Sequence, residues 1–303
     1  DIKNRFVEMM NGSPIALVPH LANEQHYEVP AEFFSEVLGE RRKYSCCYWP
    51  ADVEDLESAE KVALEMTIKR AGIEDGMRIL DLGCGWGSVS LWIAEQFPNS
   101  RVTSVSNSQG QHDYITEVAR SRGIDNLSVH VCDMNDFEAP GTYDRIVSVE
   151  MFEHMRNYGE LFRRIANWLE PDGRFFMHIF CHRTTPYEYI DKGPGDWMSR
   201  HFFSGGIMPS ADLPHRFADD LNVEKHWQWN GTHYARTLRA WLDRMDSRKA
   251  SVMPILRDTY GEEDTTRWWM RWRMFFMACE ELFAMNGGDE WFVGHYLLRK
   301  VEK

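Results

Sequence analysis

The sequence predicts an α/β fold, a doubly wound and mostly parallel sheet, and two observations carry that reading. Between residues 72 and 181, apolar runs of strand character alternate with segments of helical periodicity, the signature of a parallel sheet wrapped by crossover helices. The first strand also runs straight into a glycine-rich turn that opens a helix, Asp81-Leu82-Gly83-Cys84-Gly85-Trp86-Gly87. Open α/β sheets hold their ligands at such carboxyl edges. The expected whole is a seven-stranded sheet with a helical segment before it and a helical cap inserted into it. Residues 1–71 form the N-terminal segment over the ligand cleft, 72–181 the core, 182–286 the cap, and 287–303 a returning last strand.

The elements follow in order. Ala31–Leu38 is helical, and Lys43–Pro50 is extended. Leu56–Ala71 places Ala59, Val62, Ala63 and Met66 at helical spacing and stops at Gly72. Arg78–Leu82, Arg101–Ser106, Leu127–Cys132, Tyr143–Val149 and Gly173–Phe180 read as strands. The helices between them span Val89–Gln96, Gln109–Arg122 and Gly159–Leu169. Residues 182–215 are rich in Pro, Gly, Asp and aromatics, too long and irregular for a plain connection, as lids and substrate walls tend to be. Helices follow at Thr237–Ser247, Ala250–Gly261 and Thr265–Asn286, and Glu290–Lys300 closes as a strand.

Composition excludes several classes. A net charge of −13 with no block of Lys and Arg argues against nucleic acid and acidic membrane surfaces, which need clustered cations. The same charge favours cationic substrates. Cys46, Cys47, Cys84, Cys132, Cys181 and Cys279 form neither a disulfide framework nor a zinc pattern, so no metal is expected and the thiols suit a reducing compartment. Neither a membrane-spanning run nor a signal peptide is evident, although Asp1 is not a natural start. The expectation is a cytoplasmic protein, monomer or homodimer, without stable membrane association. The aromatic string from Trp268 to Met277 reads mainly as core filling at a helix interface, with an aromatic substrate pocket as the sharper alternative.

Polar residues at consecutive strand ends define a ligand. Asp81 ends the first strand ahead of Gly83, Gly85 and Gly87; an acid there is unwelcome to a pyrophosphate and welcome to an ammonium group. S-adenosylmethionine carries an ammonium and a sulfonium and no phosphate. The second strand ends in Ser106, Asn107 and Gln111, which can hold ribose hydroxyls with neutral hydrogen bonds. The third ends in Asp133 and Met134, an acceptor and an apolar face for adenine. Each alone reads as a cap or turn. In register they indicate a class I methyltransferase, a Rossmann-like fold, with Val149 ending the fourth strand beside the same cleft.

Behind Val149 stand Glu150, Glu153 and His154. If the chain turns helically there, positions i, i+3 and i+4 share a face and converge at the sheet edge. Two carboxylates beside an imidazole suit binding a cation and taking a proton from it; the plain alternative is an acidic first helical turn.

The sequence resembles the cyclopropane fatty acid synthase-like methyltransferases over nearly its whole length. Gln25-His26-Tyr27, Tyr44-Ser45-Cys46, the glycine turn, Phe152-Glu153-His154, Pro209-Ser210 and His233-Tyr234 carry that likeness. Within the group it is most similar to the plant benzylisoquinoline N-methyltransferases, the coclaurine, tetrahydroprotoberberine and pavine enzymes. Glu150–Met155, Phe180-Cys181-His182, Asp196-Trp197, Phe202–Gly206, Thr259-Tyr260-Gly261, Trp272-Arg273, Phe275-Phe276 and Glu290-Trp291 match. The loops Pro186–Gly195 and Met208–His215 depart from the expected pattern. The resemblance implies that Tyr27, Tyr44 and Ser45 reach over the cofactor from the N-terminal segment. It implies that Glu150, Glu153 and His154 handle an amine. The expected division is that Glu153 and His154 hold and deprotonate it while Glu150 adds negative potential. Cys46, His178, Phe202, Tyr234 and Trp272 are expected around the substrate, with a satisfied core histidine as the plain alternative for His178.

It also implies a rival. Lipid-cyclopropanating relatives bind bicarbonate through a Cys, a Glu, a His and a Tyr, here Cys46, Glu153, His178 and Tyr234. They generally carry Gly where this chain has Glu150. A further carboxylate repels bicarbonate and attracts ammonium. The expected activity is therefore N-methylation of a hydrophobic aromatic amine. The alternatives are a cyclopropane lipid synthase and a cofactor-binding protein that no longer turns over.

Overall fold

The computed structural model describes residues 2–17, 29–193 and 195–302. Tyr27, with the rest of the Gln25-His26-Tyr27 string, lies outside the described residues. Seven strands form one sheet in the order β3-β2-β1-β4-β5-β9-β8. They are β1 (Arg78–Leu82), β2 (Arg101–Ser106), β3 (Leu127–Val131), β4 (Tyr143–Val149), β5 (Leu169–His182), β8 (Leu221–Trp229) and β9 (Trp291–Lys300). The first five run parallel, and β9 lies antiparallel between β5 and β8. β6 (Tyr187–Glu188) and β7 (Ile207–Met208) make a separate small hairpin.

Helices before and between the strands are α1 (Ile2–Asn11), α2 (Ala31–Val37), α3 (Leu56–Ala71), α4 (Ser88–Gln96), α5 (Gln109–Ser121) and α6 (Tyr158–Trp168). Those of the inserted region are α7 (Trp197–His201), α8 (Gly231–Ser247), α9 (Lys249–Tyr260) and α10 (Thr265–Ala284). The strand period of two divides the core. Ile79, Val147, Phe176 and Leu297 pack under α3 and α4 with Leu64, Trp92 and Ile93. Leu80, Ile146, Phe175 and Leu298 face the other way, against Leu161, Phe162 and Ile165 of α6. α3 starts where the Asp55 side chain accepts from Ser58 N and stops at Gly72, which takes the left-handed conformation (φ 64°).

Strand order reverses between β1 and β4, so the carboxyl ends of these two strands flank an open crevice. Above it, α2, α8, α9 and α10 build an aromatic cluster that includes Phe33, Trp241, Trp272 and Phe276 and reaches Trp86, Phe180 and Val293 of the core.

Three expectations need correction. The span 182–286 is not wholly a cap, because Leu221–Trp229 pairs with β9 as the edge of the sheet. It is a one-sided edge strand interrupted by Glu224 and Lys225, without the unbroken apolar run of an interior strand. The following helix begins at Gly231 rather than Thr237, because Asn230 caps it by accepting from Thr232 N. Finally, the residues after Val149 do not start an α-helix: Glu150 is left-handed (φ 51°) and a short 3-10 turn spans Phe152–His154.

Candidate active site

Two cavities meet at the crevice. One is a cleft over the carboxyl ends of β1 to β4. Tyr44, Ser45, Asp81, Gly83, Gly85, Ser106, Asn107, Gln111, Asp133, Met134 and Val149 all line it, as the sequence proposed for the cofactor. Gly83 has φ 75° and no room for a side chain, since a Cβ would lie 2.7 Å from Met151 Cγ. Asp81 is fully enclosed, and its Oδ2 accepts from Ser90 Oγ at 2.6 Å; burial pushes its pKa up to about 6, against the pull of that hydrogen bond. Ser106 Oγ donates to Gln111 Oε1 at 2.6 Å, which turns the Gln111 amide and leaves its buried Nε2 without a partner among the described residues. A buried donor on a cleft wall is suited to a ligand oxygen.

The second cavity is an apolar chamber of about 310 Å³. Tyr234, Leu238 and Trp241 of α8 face it at helical spacing, as do Phe275, Ala278, Cys279, Leu282 and Phe283 of α10. Tyr187, Tyr189, Met198, Phe203 and Met208 close it from the hairpin region. Among the described residues, only Tyr44, Glu150 and His154 line both cavities. A group in the chamber meets a group in the cleft beside these three side chains.

Glu150 owes its place to its backbone. Its N–H donates to His178 O at 2.8 Å, and the left-handed turn swings the carboxylate away from Glu153 and under the N-terminal segment. There Oε1 accepts from Cys46 N and His178 Nε2, both at 2.9 Å, and Oε2 accepts from Tyr234 Oη at 2.5 Å. Burial alone would raise its pKa, but the His178 bond, the buried Lys43 ammonium and the Cys46 N–H outweigh it and hold the group below the usual carboxylate range. Lys43 sits fully enclosed, donating to Ser45 Oγ and Cys46 O at 2.6 and 2.7 Å.

Glu153 is different. It is fully buried and lines neither cavity; Oε1 accepts from Phe180 N at 2.7 Å while Oε2 has no partner among the described residues. Burial, with the Glu150 charge added, pushes its pKa well above the usual carboxylate range. His154 stacks on Phe203 at 4.6 Å between ring centres, and burial pulls its pKa down to about 4 against the opposing pull of Glu150. It is a neutral imidazole at the junction.

The structure separates the other proposed substrate residues. Tyr234 faces the chamber, whereas Cys46 and His178 reach it only through Glu150. Phe202 and Trp272 line neither cavity. Phe202 lies flat on Phe275 at 4.3 Å, with Trp272 edge-on to both, so they back the chamber wall. The reading of this string as core filling holds for Trp269, Trp272 and Phe276, while Phe275 faces the chamber. Sequence reasoning passed over Lys43, Leu238, Trp241 and Phe283; the last three were within reach of a helical-face count on α8 and α10.

The sequence pattern of the mycolic acid cyclopropane synthetase family matches residues 19–291. (S)-coclaurine N-methyltransferase of Thalictrum flavum subsp. glaucum is 39% identical over 290 residues, 94% of this chain and 80% of the relative. Cyclopropane-fatty-acyl-phospholipid synthase of Escherichia coli (strain K12) is 30% identical over 273 residues, 89% of this chain and 66% of the relative. Among solved structures, coclaurine N-methyltransferase bound to N-methylheliamine and SAH superposes with a TM-score of 0.95 at 37% identity, covering 99% of this chain and 87% of that one.

Proposed function

We infer that this chain, which belongs to the mycolic acid cyclopropane synthetase family, is an S-adenosylmethionine-dependent methyltransferase acting on the nitrogen of a hydrophobic aromatic amine, of benzylisoquinoline type. One observation carries the choice of nitrogen over lipid carbon. Cys46 N, His178 and Tyr234, three of the groups that the family resemblance assigns to bicarbonate, all donate to the carboxylate of Glu150. A carboxylate tethered to the chain takes the donors a bicarbonate would need and leaves a fixed negative charge where the cavities meet. That charge favours an ammonium and disfavours a second anion.

The cleft fits the methyl donor. Gln111 and Ser106 offer polar contacts for a ribose, Asp133 and Met134 an adenine site, and the Gly83–Gly85 turn a place where ligand and backbone can approach closely. When bound, the donor supplies an electrophilic methyl group and leaves as S-adenosylhomocysteine. Tyr44 and Ser45 of the N-terminal segment cover this cleft, and the inserted region apart from β8 walls the chamber.

The remaining work belongs to the protein. An amine protonated in water has no lone pair to attack with. Glu150 holds the cation at the junction, and the aromatic rings of the chamber stabilise it further. Neutral His154 is placed to accept the proton, and the Glu150 charge stabilises the resulting imidazolium. Glu153, enclosed away from both cavities, fixes the turn by accepting from Phe180 N. Apolar walls exclude water and hold the nitrogen in line with the donor, where orientation supplies much of the rate. Free buried thiols suit a reducing compartment, and among the described residues no helix is long and apolar enough to cross a membrane. The test is transfer of labelled methyl in parallel incubations with an isoquinoline amine and with unsaturated phospholipid vesicles. Label in the amine supports the reading, and label in lipid alone overturns it.

A further inference from the structure

Glu150 is the end of a buried hydrogen-bond chain that crosses the sheet. His178 Nε2 meets Glu150 Oε1 at 2.9 Å, His295 Nε2 meets His178 Nδ1 at 3.0 Å, and Arg70 Nη1 meets His295 Nδ1 at 2.8 Å. The two histidines face each other across the β5–β9 pairing and are enclosed, with Trp229 against both rings. Arg70, in the last turn of α3, lies over the rings of Trp227 and Trp229.

Guanidinium can only donate. It therefore assigns every proton in the chain. His295 Nδ1 must accept, so the neutral His295 carries its proton on Nε2. That proton points at His178 Nδ1, which must accept in turn, so His178 carries its proton on Nε2, aimed at Glu150. A carboxylate that receives an N–H favours its ionised form. The polarity also closes this route to proton exit, since a proton leaving Glu150 would need the chain reversed and an acceptor at its far end.

We propose that Arg70 is a positioning residue for the reaction, which acts through His295 and His178 to keep Glu150 ionised and aimed for the substrate ammonium. The inference rests on the N-methyltransferase reading for its consequence, not for its geometry. Other titratable groups face the chain from each packed element. Lys43, Cys46 and Tyr48 come from the N-terminal segment, Glu153 and His154 from the turn after β4, Tyr234 from α8 and Cys279 from α10, while His226 of β8 lies on the other face of the sheet, stacked on Tyr296. Among them only Lys43 is a fixed cation near Glu150, and it is held by Ser45 and Cys46 rather than by an imidazole.

Two measurements test this. Nitrogen-15 spectra of histidine-labelled enzyme without ligand report tautomers directly and need no activity. The expected result is Nε2–H for both His178 and His295; an Nδ1–H tautomer at either overturns the proposal even if amine methylation stands. Arg70→Met is then compared with Arg70→Lys, which keeps a donor. In Arg70→Met the acid limb of kcat/KM for the amine is expected to move up by about one pH unit, a tenfold loss on that side. KM for the methyl donor stays unchanged, and Arg70→Lys recovers most of the loss. An acid limb that does not move, or an equal loss in both variants, refutes the role.

Discussion

The cleft proposed for the methyl donor and the chamber proposed for the substrate are built by opposite means. The cleft is assembled from the ends of consecutive strands, so each polar contact comes from a turn a few residues long: Gly83 and Gly85 after β1, Ser106 to Gln111 after β2, Asp133 and Met134 after β3. The chamber is assembled from side chains far apart in the chain, on α8, α10 and the β6–β7 region, and its character is aromatic. A cleft of that kind recognises one constant ligand through backbone and short polar groups. A chamber of this kind sets size and shape and leaves the chemistry to the few polar groups at its mouth. Glu150 and His154 stand where the two join, so substitutions there should stop the reaction without emptying either cavity.

The largest effect is expected from Glu150→Gln. Volume is retained and the fixed charge is lost, so kcat/KM for the amine should fall on the order of a thousandfold, about 4 kcal/mol. Affinity for the methyl donor, measured by calorimetry, should change little. Equal loss of donor binding would mean that the two cavities are not separable at this residue.

His154→Asn comes next, with kcat down about a hundredfold at neutral pH, as for loss of a positioned base. It also has a stability signature. The folded value of about 4 lies below the ordinary 6.5, so this residue contributes stability above pH 6.5 that is lost as pH falls toward 4. The contribution is at most about 3 kcal/mol. Thermal melts from pH 7 to 4 should therefore decline less steeply in the variant than in the wild type. An unchanged slope would show that the imidazole is not buried as described.

The chamber gives a smaller and selective effect. Leu238→Trp fills its wall and should raise KM for a bulky benzylisoquinoline by about tenfold while sparing a simple tetrahydroisoquinoline. Steady-state kinetics on the pair measures this. Gln111→Ala in the cleft should do the reverse, weakening the methyl donor by a few-fold, about 1 kcal/mol, with amine selectivity unchanged.

The same contrast explains how much could be read from the chain alone. β1, β2, β4 and the strand ends of the cleft were legible because each is a local pattern, an apolar run with its turn residues beside it. β8 was not, because Glu224 and Lys225 face solvent on an edge strand and break the run. Phe202 and Trp272 carry the composition of a pocket but pack behind it, since an aromatic string does not declare which way its rings point. Glu150, Glu153 and His154 were found as a group, yet their division of labour depends on one left-handed residue that turns Glu150 toward Cys46 and leaves Glu153 inside. Lys43, Arg70 and His295 gave no local signal at all, because buried polar partners are set by tertiary contact.

The central claim is that Glu150 does the work of a bound anion and commits the site to nitrogen. The most direct measurement is the rate of labelled methyl transfer to an isoquinoline amine by the wild-type enzyme in bicarbonate-free buffer, then with bicarbonate restored. The expected rate is the same in both. A rate that collapses without bicarbonate and returns with it would contradict the account.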